Sequence, residues 1–391
     1  MKKLRFQIRT WNRAEKLKVC LERIIEEIEK VNAQNECIIF VIDNHSSDST
    51  PQLLKFLQKK YPFLKVYRNS EWYPMGKQPP LPEETLKEVD SEFVWSIGDD
   101  DIIIKDAFAI VWKFLNSKDA EEPVIIHVAN AQLQPHSYKV YKGSVLEFMN
   151  LMGFNQFIGW AASQIQNVKV TRAIIFEDWG KDYFEEFKEK RLPLYQTTAF
   201  PHVLFALHFF ADSPAVVIDY PIITPMETKE TKEHIERWEK ENIGWRYFLF
   251  VKVLKKMFDE GLLTEKLKPG FFRYLQHNLW DRFIREMIAE RIGTYTMNPR
   301  PDEGWDIILM IAELVDDLTV ARLIRTSVFS AKSACELYKT IKEKLEKEKD
   351  EILEEKRQEV FKQLASLVDE LGTPMFDAGW AGKGFTGEVI K

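Results

Sequence analysis

The sequence predicts an α/β fold in which a mostly parallel sheet carries helices on both faces, followed by an all-helical domain. Apolar strand segments alternate with helical segments about four times in the first part of the chain. These strand segments are apolar throughout, as expected for strands that are buried on both faces. A chain of 391 residues is expected to form two domains. We predict an α/β domain over residues 1–226 and a helical domain over residues 227–391.

Each element of the α/β domain is predicted from its own local pattern. Residues 4–10 alternate apolar and polar side chains, as a strand does, and residues 14–31 place apolar side chains at helical spacing. The strands are predicted at Leu4–Thr10, Ile38–Ile42, Leu64–Tyr67, Glu92–Gly98, Pro123–Val128 and Asp219–Pro225. The helices are predicted at Ala14–Val31, from Pro51 onward, at Glu83–Val89 and at Asp106–Asn116.

Composition narrows the class of protein. The hydrophobic fraction of 45% is typical of a packed globular chain, and a net charge of −6 argues against a nucleic-acid partner. The three scattered cysteines show neither disulfide nor metal spacing, and Cys20 and Cys37 lie in apolar segments typical of a core. The N-terminus lacks the apolar run of a signal peptide, and no apolar segment reaches about 18 residues. We therefore expect a cytoplasmic protein.

Three carboxylates, Asp99, Asp100 and Asp101, follow directly after the apolar strand that ends at Gly98. Adjacent carboxylates repel one another, so a folded chain keeps them together only where something cationic offsets their charge. Oxygen ligands suit a hard divalent ion, and Mg²⁺ or Mn²⁺ could bridge them to a phosphate. The alternative is a solvated acidic turn before the helix that begins near Lys105.

Polar residues also follow the other predicted strands. In open α/β sheets, ligands bind at the carboxyl ends of the strands. Here those ends carry residues 10–13, 43–48, 69–77 and 99–101. The first of these loops has no glycine, so the dinucleotide-binding fingerprint is absent, and no P-loop motif occurs in the chain. We predict a site for another kind of nucleotide, with a metal, at this edge of the sheet.

Four ordered motifs in this region resemble those of family 2 glycosyltransferases. Thr10–Arg13 (TWNR) resembles the opening motif of that family, and Val41–Thr50 (VIDNHSSDST) resembles its segment at the end of the second strand. Asn69 with Met75–Lys77 (MGK) is similar to a third motif, and Ile97–Asp101 (IGDDD) resembles its D-x-D metal motif. The resemblance implies a GT-A fold, which is Rossmann-like, and transfer of a sugar from a nucleoside diphosphate sugar to an acceptor.

The resemblance also implies a role for each matching residue. Asp43 would accept a hydrogen bond from the nucleotide base, Asp99 would approach the ribose, and Asp101, with Asp99, would ligate Mn²⁺ or Mg²⁺. Such a metal would offset the charge that builds on the departing diphosphate. By their residue types alone, Arg13 and Lys77 could instead be surface residues. The full set expected to bind the nucleotide sugar is Thr10, Asn12, Arg13, Asp43, Asn44, Gly76, Lys77, Asp99 and Asp100.

The acceptor side carries a looser resemblance. The segment around Gly159 and Trp160, and later His202 after a proline, resemble abequosyltransferase-like enzymes that build bacterial surface polysaccharides. An inverting transfer requires a general base for the acceptor hydroxyl. We predict His202, at the start of an apolar helix, or Asp178, in a Glu-Asp pair, as that base. His202 could instead be a helix-start residue that bonds to backbone, and the other histidines, including His136, show no metal spacing.

The C-terminal half predicts helices. Residues 245–258 combine bulky apolar side chains with cations, a pattern that suits either a membrane interface or a bundle with its lysines at the surface. Residues 336–371 predict a long charged helix that could serve as a homodimer contact. With the resemblance, the expected partners are a nucleoside diphosphate sugar and a saccharide or lipid-linked saccharide acceptor, without nucleic acid. A lipid-linked acceptor would place the protein at the inner face of the plasma membrane.

Two other functions fit parts of the sequence. A sugar-1-phosphate nucleotidyltransferase shares the fold type, but it would carry a glycine-rich basic loop after the first strand, which this chain lacks. A non-catalytic scaffold could keep the fold and use its long C-terminal helices as the working surface. The joint presence of Asp43, Asp99 and Asp101 argues against a scaffold. We therefore predict a metal-dependent inverting glycosyltransferase that acts in bacterial surface polysaccharide synthesis.

Overall fold

The computed structural model describes residues 1–74, 77–227, 243–271, 303–314, 318–345 and 384–390, with isolated residues between these ranges. The chain forms two compact units. The first comprises Met1–Pro193, His202–Lys229 and Ala378–Lys391, and the second comprises Leu194–Pro201 and Glu230–Asp377. The domain boundary proposed at residue 226 lies three residues before Lys229. Residues 194–201, however, belong to the second unit, although we predicted them in the first domain. Residues 378–391 belong to the first unit, although we predicted them in the second domain.

Strands and helices alternate through the first part of the chain. The strands are β1 Lys2–Thr10, β2 Cys37–Asp43, β3 Leu64–Arg68, β4 Ser91–Gly98, β5 Asp101–Ile103, β6 Ile125–Asn130, β7 Val140–Ser144, β8 Gln164–Asn167, β9 Pro214–Pro225 and β10 Glu388–Ile390. The helices are α1 Ala14–Lys30, α2 Thr50–Lys60, α3 Glu83–Glu88, α4 Phe108–Leu115, α5 Val145–Met152, α6 Val168–Ala173, α7 Lys181–Lys190, α8 Leu192–Gln196 and α9 Pro201–Phe210. Single π-helical turns lie at Asn155–Gly159 and Ile174–Asp178.

Strand β2 shows that the sheet is buried on both faces. All of its residues are buried. Val41 belongs to a large core that includes Leu17 of α1, whereas its neighbours Phe40 and Ile42 belong to a second core with Val89. Because successive side chains of a strand point to opposite faces, the two cores lie on opposite sides of the sheet. The continuous apolar pattern therefore predicted the burial of this strand correctly.

Ten strands of the described chain form one mixed sheet, in the order β10-β7-β9-β6-β8-β4-β1-β2-β3, with β5 paired to β9. The pairs among β1 to β4, and the pair β6–β9, are parallel. The remaining pairs are antiparallel. The predicted α/β class is confirmed, but the prediction of a mostly parallel sheet is wrong. The missed strands β7 (VYKGS) and β8 (QIQN) carry no continuous apolar run, so their local pattern gave no strand signal.

The topology places one set of strand ends at a common edge. Strand β8 is antiparallel to both β4 and β6, so β4 and β6 run in the same direction. Strand β1 is parallel to β4, β2 is parallel to β1, and β3 is parallel to β2, while β9 is parallel to β6. The C-terminal ends of these strands therefore lie on the same side of the sheet, which we call the C-terminal edge.

Strand β8 is shorter than its two neighbours. It pairs with β4 only as far as Trp95 and with β6 only as far as His127, although β4 continues to Gly98 and β6 to Asn130. The segment 155–163, which contains the first π-helical turn, is bonded to both strands just beyond this point. Trp95 Nε1 donates to the carbonyl of residue 162 (2.8 Å), and His127 Nδ1 lies 2.7 Å from the carbonyl of residue 157.

The described part of the second unit is helical. It contains α10 Ile243–Asp259, α11 Glu303–Leu314 and α12 Leu318–Leu345, with α11 packed against both other helices. Phe248 and Phe250 of α10 are buried, so this basic aromatic helix packs apolar side chains inside the unit. Its contact with a membrane interface stays a prediction. The long charged helix begins at Leu318, earlier than predicted, and most of its predicted continuation after residue 345 lies outside the described residues.

Three further features bear on the sequence predictions. Cys20 and Cys37 are buried and not disulfide-bonded, as predicted for core residues. No helix among the described residues is long and apolar enough to cross a membrane. Near the C-terminus, Phe385 stacks on Phe148 with ring centroids 5.6 Å apart, and β10 pairs with β7. This part of the tail therefore packs within the first unit.

Candidate functional site

At the C-terminal edge, the loop after β1 is fixed to the loop after β2 by Asn12. Its Oδ1 accepts a hydrogen bond from the backbone N–H of Ser47 (2.7 Å). Asn12 has a φ of +50°, a left-handed conformation that asparagine tolerates better than most residues. The carboxylate of Asp48 accepts hydrogen bonds from the N–H of Ala14 (3.1 Å) and the N–H of Thr50 (2.9 Å), at the starts of α1 and α2. These contacts hold the first two motifs together.

Asp43 is buried inside the second loop. Its Oδ1 accepts a hydrogen bond from the N–H of Ser46 (2.9 Å), and its Oδ2 accepts one from Arg68 Nη1 (2.8 Å). Arg68 Nη2 also donates to the carbonyl of Ser46 (2.8 Å). The side chain of Asp43 is 1% exposed, whereas that of Arg68 is 39% exposed. The predicted hydrogen bond from a nucleotide base would therefore have to reach a buried carboxylate that already accepts two hydrogen bonds, and Arg68 is the more accessible group.

Asn44 fixes the third loop to the second. Its Nδ2 donates to the carbonyl of Tyr73 (2.8 Å), and its Oδ1 accepts from Asn69 Nδ2 (2.7 Å). In the same region the rings of Trp11 and Trp72 pack with centroids 5.9 Å apart. The side-chain amide of Asn44, which was predicted to bind the nucleotide sugar, thus connects two loops at the C-terminal edge.

Arg13 supplies the cation that the acidic cluster requires. Its Nη1 lies 2.8 Å from Asp99 Oδ1 and 2.9 Å from Asp100 Oδ2. The side chain of Arg13 is only 9% exposed, so it is not a solvated surface residue. Burial raises the pKa of Asp99, and Arg13 and the hydroxyl of Thr10 partly offset that effect. One guanidinium shared by two carboxylates leaves the cluster with excess negative charge.

Asp101 begins β5 and turns back toward the end of β4. Its Oδ2 accepts a hydrogen bond from the N–H of Gly98 (2.8 Å). A Cβ on Gly98 would lie 2.6 Å from Asp101 Oδ2 and 2.9 Å from Asp100 Oδ1, so a larger residue there would displace these two carboxylates. Burial, together with repulsion from Asp100, raises the pKa of Asp101 to about 7. Asp99 and Asp101 are both buried, which excludes the solvated acidic turn.

The donor set of this cluster fits a hard divalent cation. Oxygens of Asp100 and Asp101 approach one point beside Gly98, and the anionic form of Asp101 lacks full charge compensation. The described residues contain no group of three His, Cys, Asp or Glu side chains placed to hold a metal. Mg²⁺ commonly binds through one or two carboxylates and takes its other ligands from water and substrate phosphates. Asp99, predicted as the second ligand, has one oxygen on Arg13.

The glycine-lysine motif is only partly described. Gly76 lies outside the described residues. Lys77 is exposed, and its backbone N–H donates to the carbonyl of Pro74 (3.0 Å). A contact between Lys77 and a phosphate stays a prediction.

His202 is bonded to the segment 155–163. Its Nε2 lies 2.9 Å from the carbonyl oxygen of Ile158 and 3.2 Å from that of Gly159. Since carbonyl oxygens only accept, Nε2 carries the proton, and Nδ1 is the acceptor atom of the neutral ring. Burial lowers the pKa of His202. This geometry matches the alternative of a helix-start histidine bonded to backbone, and a role as general base stays a prediction.

Asp178, the other predicted base, ends the second π-helical turn. It is exposed and follows α6. In the sequence it is far from the loops after β1, β2 and β4. Its neighbours Phe176 and Trp179 are also exposed. Among the described residues no hydrogen bond or ion pair positions Asp178, so its role too stays a prediction.

The sequence contained a signal for Arg68 that the motif comparison passed over. Parallel pairing of β2 and β3 places Arg68 opposite Asp43, at the ends of both strands. An arginine and an aspartate that both terminate adjacent parallel strands are expected to pair. Arg68 also directly precedes Asn69 of the third motif.

The fold and the C-terminal edge define a class of α/β protein in which parallel strands present acidic and basic side chains at a common ligand-binding edge. Residues 7–132 match the family model "Glycosyl transferase family 2". The match covers about a third of the chain and includes the end of β1, strands β2 to β6 and the whole acidic cluster. It supports the resemblance predicted for this region, whereas the abequosyltransferase-like subtype is not supported by it. No curated protein matches the chain.

Several solved structures are similar to this chain at low identity. The crystal structure of S. aureus TarS 1–349 has 13% identity and a TM-score of 0.49, covering 85% of this chain and 90% of that one. The same protein in complex with UDP-GlcNAc has a TM-score of 0.44 at 13% identity, with the same coverage of both chains. The mannosyltransferase PcManGT from Pyrobaculum calidifontis, in complex with GDP-Man and Mn²⁺, has 12% identity and a TM-score of 0.42, covering 85% and 86%. Likeness at this level carries no inference about substrate.

Proposed function

We propose that this protein is a metal-dependent glycosyltransferase with a GT-A domain that moves a sugar from a nucleoside diphosphate sugar to a hydroxyl group. The observation that carries the proposal is the cluster of Arg13, Asp99, Asp100 and Asp101 at the C-terminal edge, in which Asp99 and Asp101 are buried, inside the region that matches the family model. Buried carboxylates with only one arginine beside them are costly for a fold to keep, and a ligand-binding role accounts for them.

The residues at the C-terminal edge have different roles in the proposed donor site. Asn12, Asp48 and Asn44 hold the loops after β1, β2 and β3 in place, so the donor meets a preformed surface. Arg68, held by Asp43, is the accessible cation there, suited to an anionic or aromatic part of the donor.

The acidic cluster is proposed to bind the diphosphate through a divalent cation. Asp101, with Asp100 or Asp99, would hold Mn²⁺ or Mg²⁺, and the bound ion would supply Lewis-acid stabilisation of charge on the leaving diphosphate. Arg13 keeps Asp99 and Asp100 in place and prevents three carboxylates from separating by mutual repulsion. We further propose inversion at the anomeric carbon, as the family resemblance implies.

The acceptor and the setting follow from the resemblance alone. We propose a saccharide or lipid-linked saccharide acceptor, and a place in bacterial surface polysaccharide synthesis. Cytoplasmic location, contact with the inner face of the plasma membrane and a homodimer stay predictions. Proteins of the scaffold type would not need a metal-dependent nucleotide response, so one experiment separates the two functions.

The test is thermal unfolding with UDP, GDP, CMP, CDP or dTDP, each with and without Mn²⁺. A ligand that binds the native state raises its stability, and a nucleotide at about 100 times its Kd should raise Tm by a few degrees. We expect one nucleoside diphosphate to do so only with Mn²⁺. The Asp101→Asn variant, which keeps an acceptor for the N–H of Gly98, should lose this shift.

A matched control is Asp212→Asn, which removes an exposed carboxylate from the turn before β9 and should keep the full shift. If no nucleotide shifts Tm in the wild-type protein, the proposal fails and the scaffold function takes its place. A shift of equal size in wild type and Asp101→Asn would place the metal elsewhere.

A further inference from the structure

A small cavity lies beside the end of β6 and the middle of β9 in the first unit. Its volume is about 20 Å³, which is room for one water molecule or one hydroxyl group. Its rim reaches the surface, because Leu133 and Pro135 are partly or fully exposed. The lining residues are His127, Ala129, Asn130, Leu133, Pro135, His136, Met152, Gln156 and Asp219.

His136 and Asp219 form a dyad in the wall of this cavity. His136 Nδ1 lies 3.1 Å from Asp219 Oδ1, and Asp219 Oδ2 accepts a hydrogen bond from the N–H of Ser137 (2.8 Å). The side chain of His136 is 1% exposed and that of Asp219 is 7% exposed. A carboxylate only accepts, so Nδ1 carries a proton and Nε2 is the acceptor atom of the neutral ring.

Nε2 of His136 is buried and has no hydrogen-bond partner among the described residues. A buried polar atom without a partner is uncommon and costs free energy, so it points to a group that the protein is built to receive. His127 lines the same cavity, and burial lowers its pKa to about 4, which leaves it neutral near pH 7. His127 therefore adds no positive charge that would compete with protonation of His136.

The dyad lies at the C-terminal edge, on the same side of the sheet as the acidic cluster. Asp219 follows Ile218, which pairs with Val128 near the end of β6. Strand β6 is two positions from β4, with the shorter β8 between them, so the ends of the two strands lie about 10 Å apart at the usual strand spacing. The dyad and the acidic cluster therefore lie at the same edge of one sheet.

We propose that this cavity is the subsite for the acceptor hydroxyl and that His136, positioned by Asp219, is the general base of the transfer. The inference rests on the proposed function. The acceptor oxygen forms a bond to the anomeric carbon while the bond from that carbon to the diphosphate breaks, and its electron pair leaves with the diphosphate. The hydroxyl proton moves to His136 Nε2 and is later released to water. Asp219 is a positioning residue that stabilises the imidazolium through Nδ1.

This assignment differs from the bases predicted from sequence. The Nε2 of His202 donates to two backbone carbonyls, and Asp178 is an exposed carboxylate without a positioning contact among the described residues. His136, in contrast, has a carboxylate on one ring nitrogen and no hydrogen-bond partner among the described residues on the other, and it lies in the wall of the cavity. The two imidazoles therefore differ in which groups their ring nitrogens face.

The first test is turnover of UDP-glucose, UDP-N-acetylglucosamine and GDP-mannose with Mn²⁺, using water and a panel of methyl glycosides as acceptors. Release of nucleoside diphosphate reports the reaction. We expect His136→Gln to lower kcat by roughly 100-fold or more, because a positioned base typically contributes about that much. The Mn²⁺-dependent Tm shift with the nucleotide should be unchanged. Asp212→Asn, which removes an exposed carboxylate from the turn before β9, is the matched control and should keep wild-type kcat.

The pH profile separates catalysis from packing. The titratable residues in the cavity wall are His127, His136 and Asp219. We expect the acid limb of kcat to disappear in His136→Gln. Asp219→Asn should lower kcat with little change in KM for the glycoside, because the imidazole loses its positioning contact. A folded His136→Gln protein with wild-type kcat and an unchanged acid limb would overturn the proposal. If that variant does not fold, His136→Asn and Asp219→Asn provide the same test.

A binding measurement decides the question if the wild-type protein turns over none of these donors. In protein labelled with ¹⁵N-histidine, methyl glycosides should shift the Nε2 resonance of His136, identified by its absence in His136→Gln. No shift with any glycoside would overturn the subsite. Failure of the proposed function gives a different result, since no nucleotide would then shift Tm whatever the histidine spectrum shows.

Discussion

The loops after β1, β2 and β4 and the segment 155–163 lie at the same edge of one sheet, but they are held in different ways. The loops are joined by side chains that end a strand or follow it within three residues, such as Asp43, Asn12 and Arg13. The segment is held by its own backbone carbonyls, which accept hydrogen bonds from Trp95 and His202. Contacts made by their own polar and charged side chains therefore hold the loops, and hydrogen bonds to backbone carbonyls hold the segment 155–163.

This difference teaches how each region can be recognised. A loop that uses its own side chains must keep particular residue types at fixed offsets from a strand end, which produces motifs. A segment that offers only carbonyls accepts many residue types, because every residue has a carbonyl group. The second region is thus visible only after the partners of its carbonyls have been brought together by the fold.

The largest expected effect is on the charged region. Arg13→Ala leaves Asp99 buried without its cation, and loss of one partner of a buried ion pair typically costs about 3–5 kcal/mol. Chemical denaturation should show this loss in the free energy of unfolding of the first unit. The double variant Arg13→Ala/Asp99→Asn should recover most of it. A loss below about 1 kcal/mol would mean that the pair behaves as a surface ion pair.

The next effect concerns pH in the metal-free protein. The pKa of Asp101 rises from its ordinary 3.8 to about 7, which corresponds to about 4 kcal/mol between its two protonation states. Because the folded pKa is raised, the stability that Asp101 contributes is complete below about pH 4 and is lost as pH rises through about 7. The free energy of unfolding of wild type relative to Asp101→Asn should therefore fall over this range.

The comparison with Asp101→Asn is needed because the buried histidines change the free energy of unfolding in the opposite direction as pH rises. Burial lowers the pKa of His127, His202 and His208, so their contribution increases as pH rises toward 6.5. These residues are present in both proteins and cancel in the difference. Addition of Mn²⁺ should reduce the fall, since a bound cation favours the anionic carboxylate. A difference between the two proteins that does not vary with pH would rule out the raised pKa.

A smaller effect is expected in the segment held by carbonyls. His202→Ala removes the donor to the carbonyl of Gly159 and one of two donors to the carbonyl of Ile158, which also accepts from Gln164 Nε2. Leaving the buried carbonyl of Gly159 unpaired costs about 1–3 kcal/mol. Thermal unfolding should show the loss, and the acid limb of kcat should stay where it is in wild type. The opposite pattern, with unchanged stability and a lost acid limb, would make His202 the base.

The smallest effect separates two roles of Asn12. Asn12→Gly removes the hydrogen bonds of the side chain but keeps the left-handed backbone accessible, whereas Asn12→Ala removes both. The alanine variant should be less stable than the glycine variant by about 1 kcal/mol, the usual cost of a left-handed conformation. Denaturation of both variants measures the difference. Equal stability would show that the backbone at residue 12 adjusts without strain.

The sequence by itself determined the α/β class, the strands β1 to β4 and β6, and the acidic cluster. Strands such as Cys37–Asp43 are apolar along their whole length, and their polar ends are set by local order in the chain. Three adjacent carboxylates required a cation on electrostatic grounds alone, and Arg13 provides it. These are properties of short stretches, so they could be predicted without knowing the fold.

Only the tertiary structure decided the mixed sheet and the surroundings of the histidines. Strand β8 has a polar sequence and pairs because β4 and β6 flank it. His136 and Asp219 are separated by 83 positions and meet because β9 lies beside β6. A titratable side chain takes its role from its burial and from its partners, and neither is encoded at its own position. The same residue type therefore bonds to backbone carbonyls at His202, whereas at His136 it bonds to a carboxylate and lines a cavity.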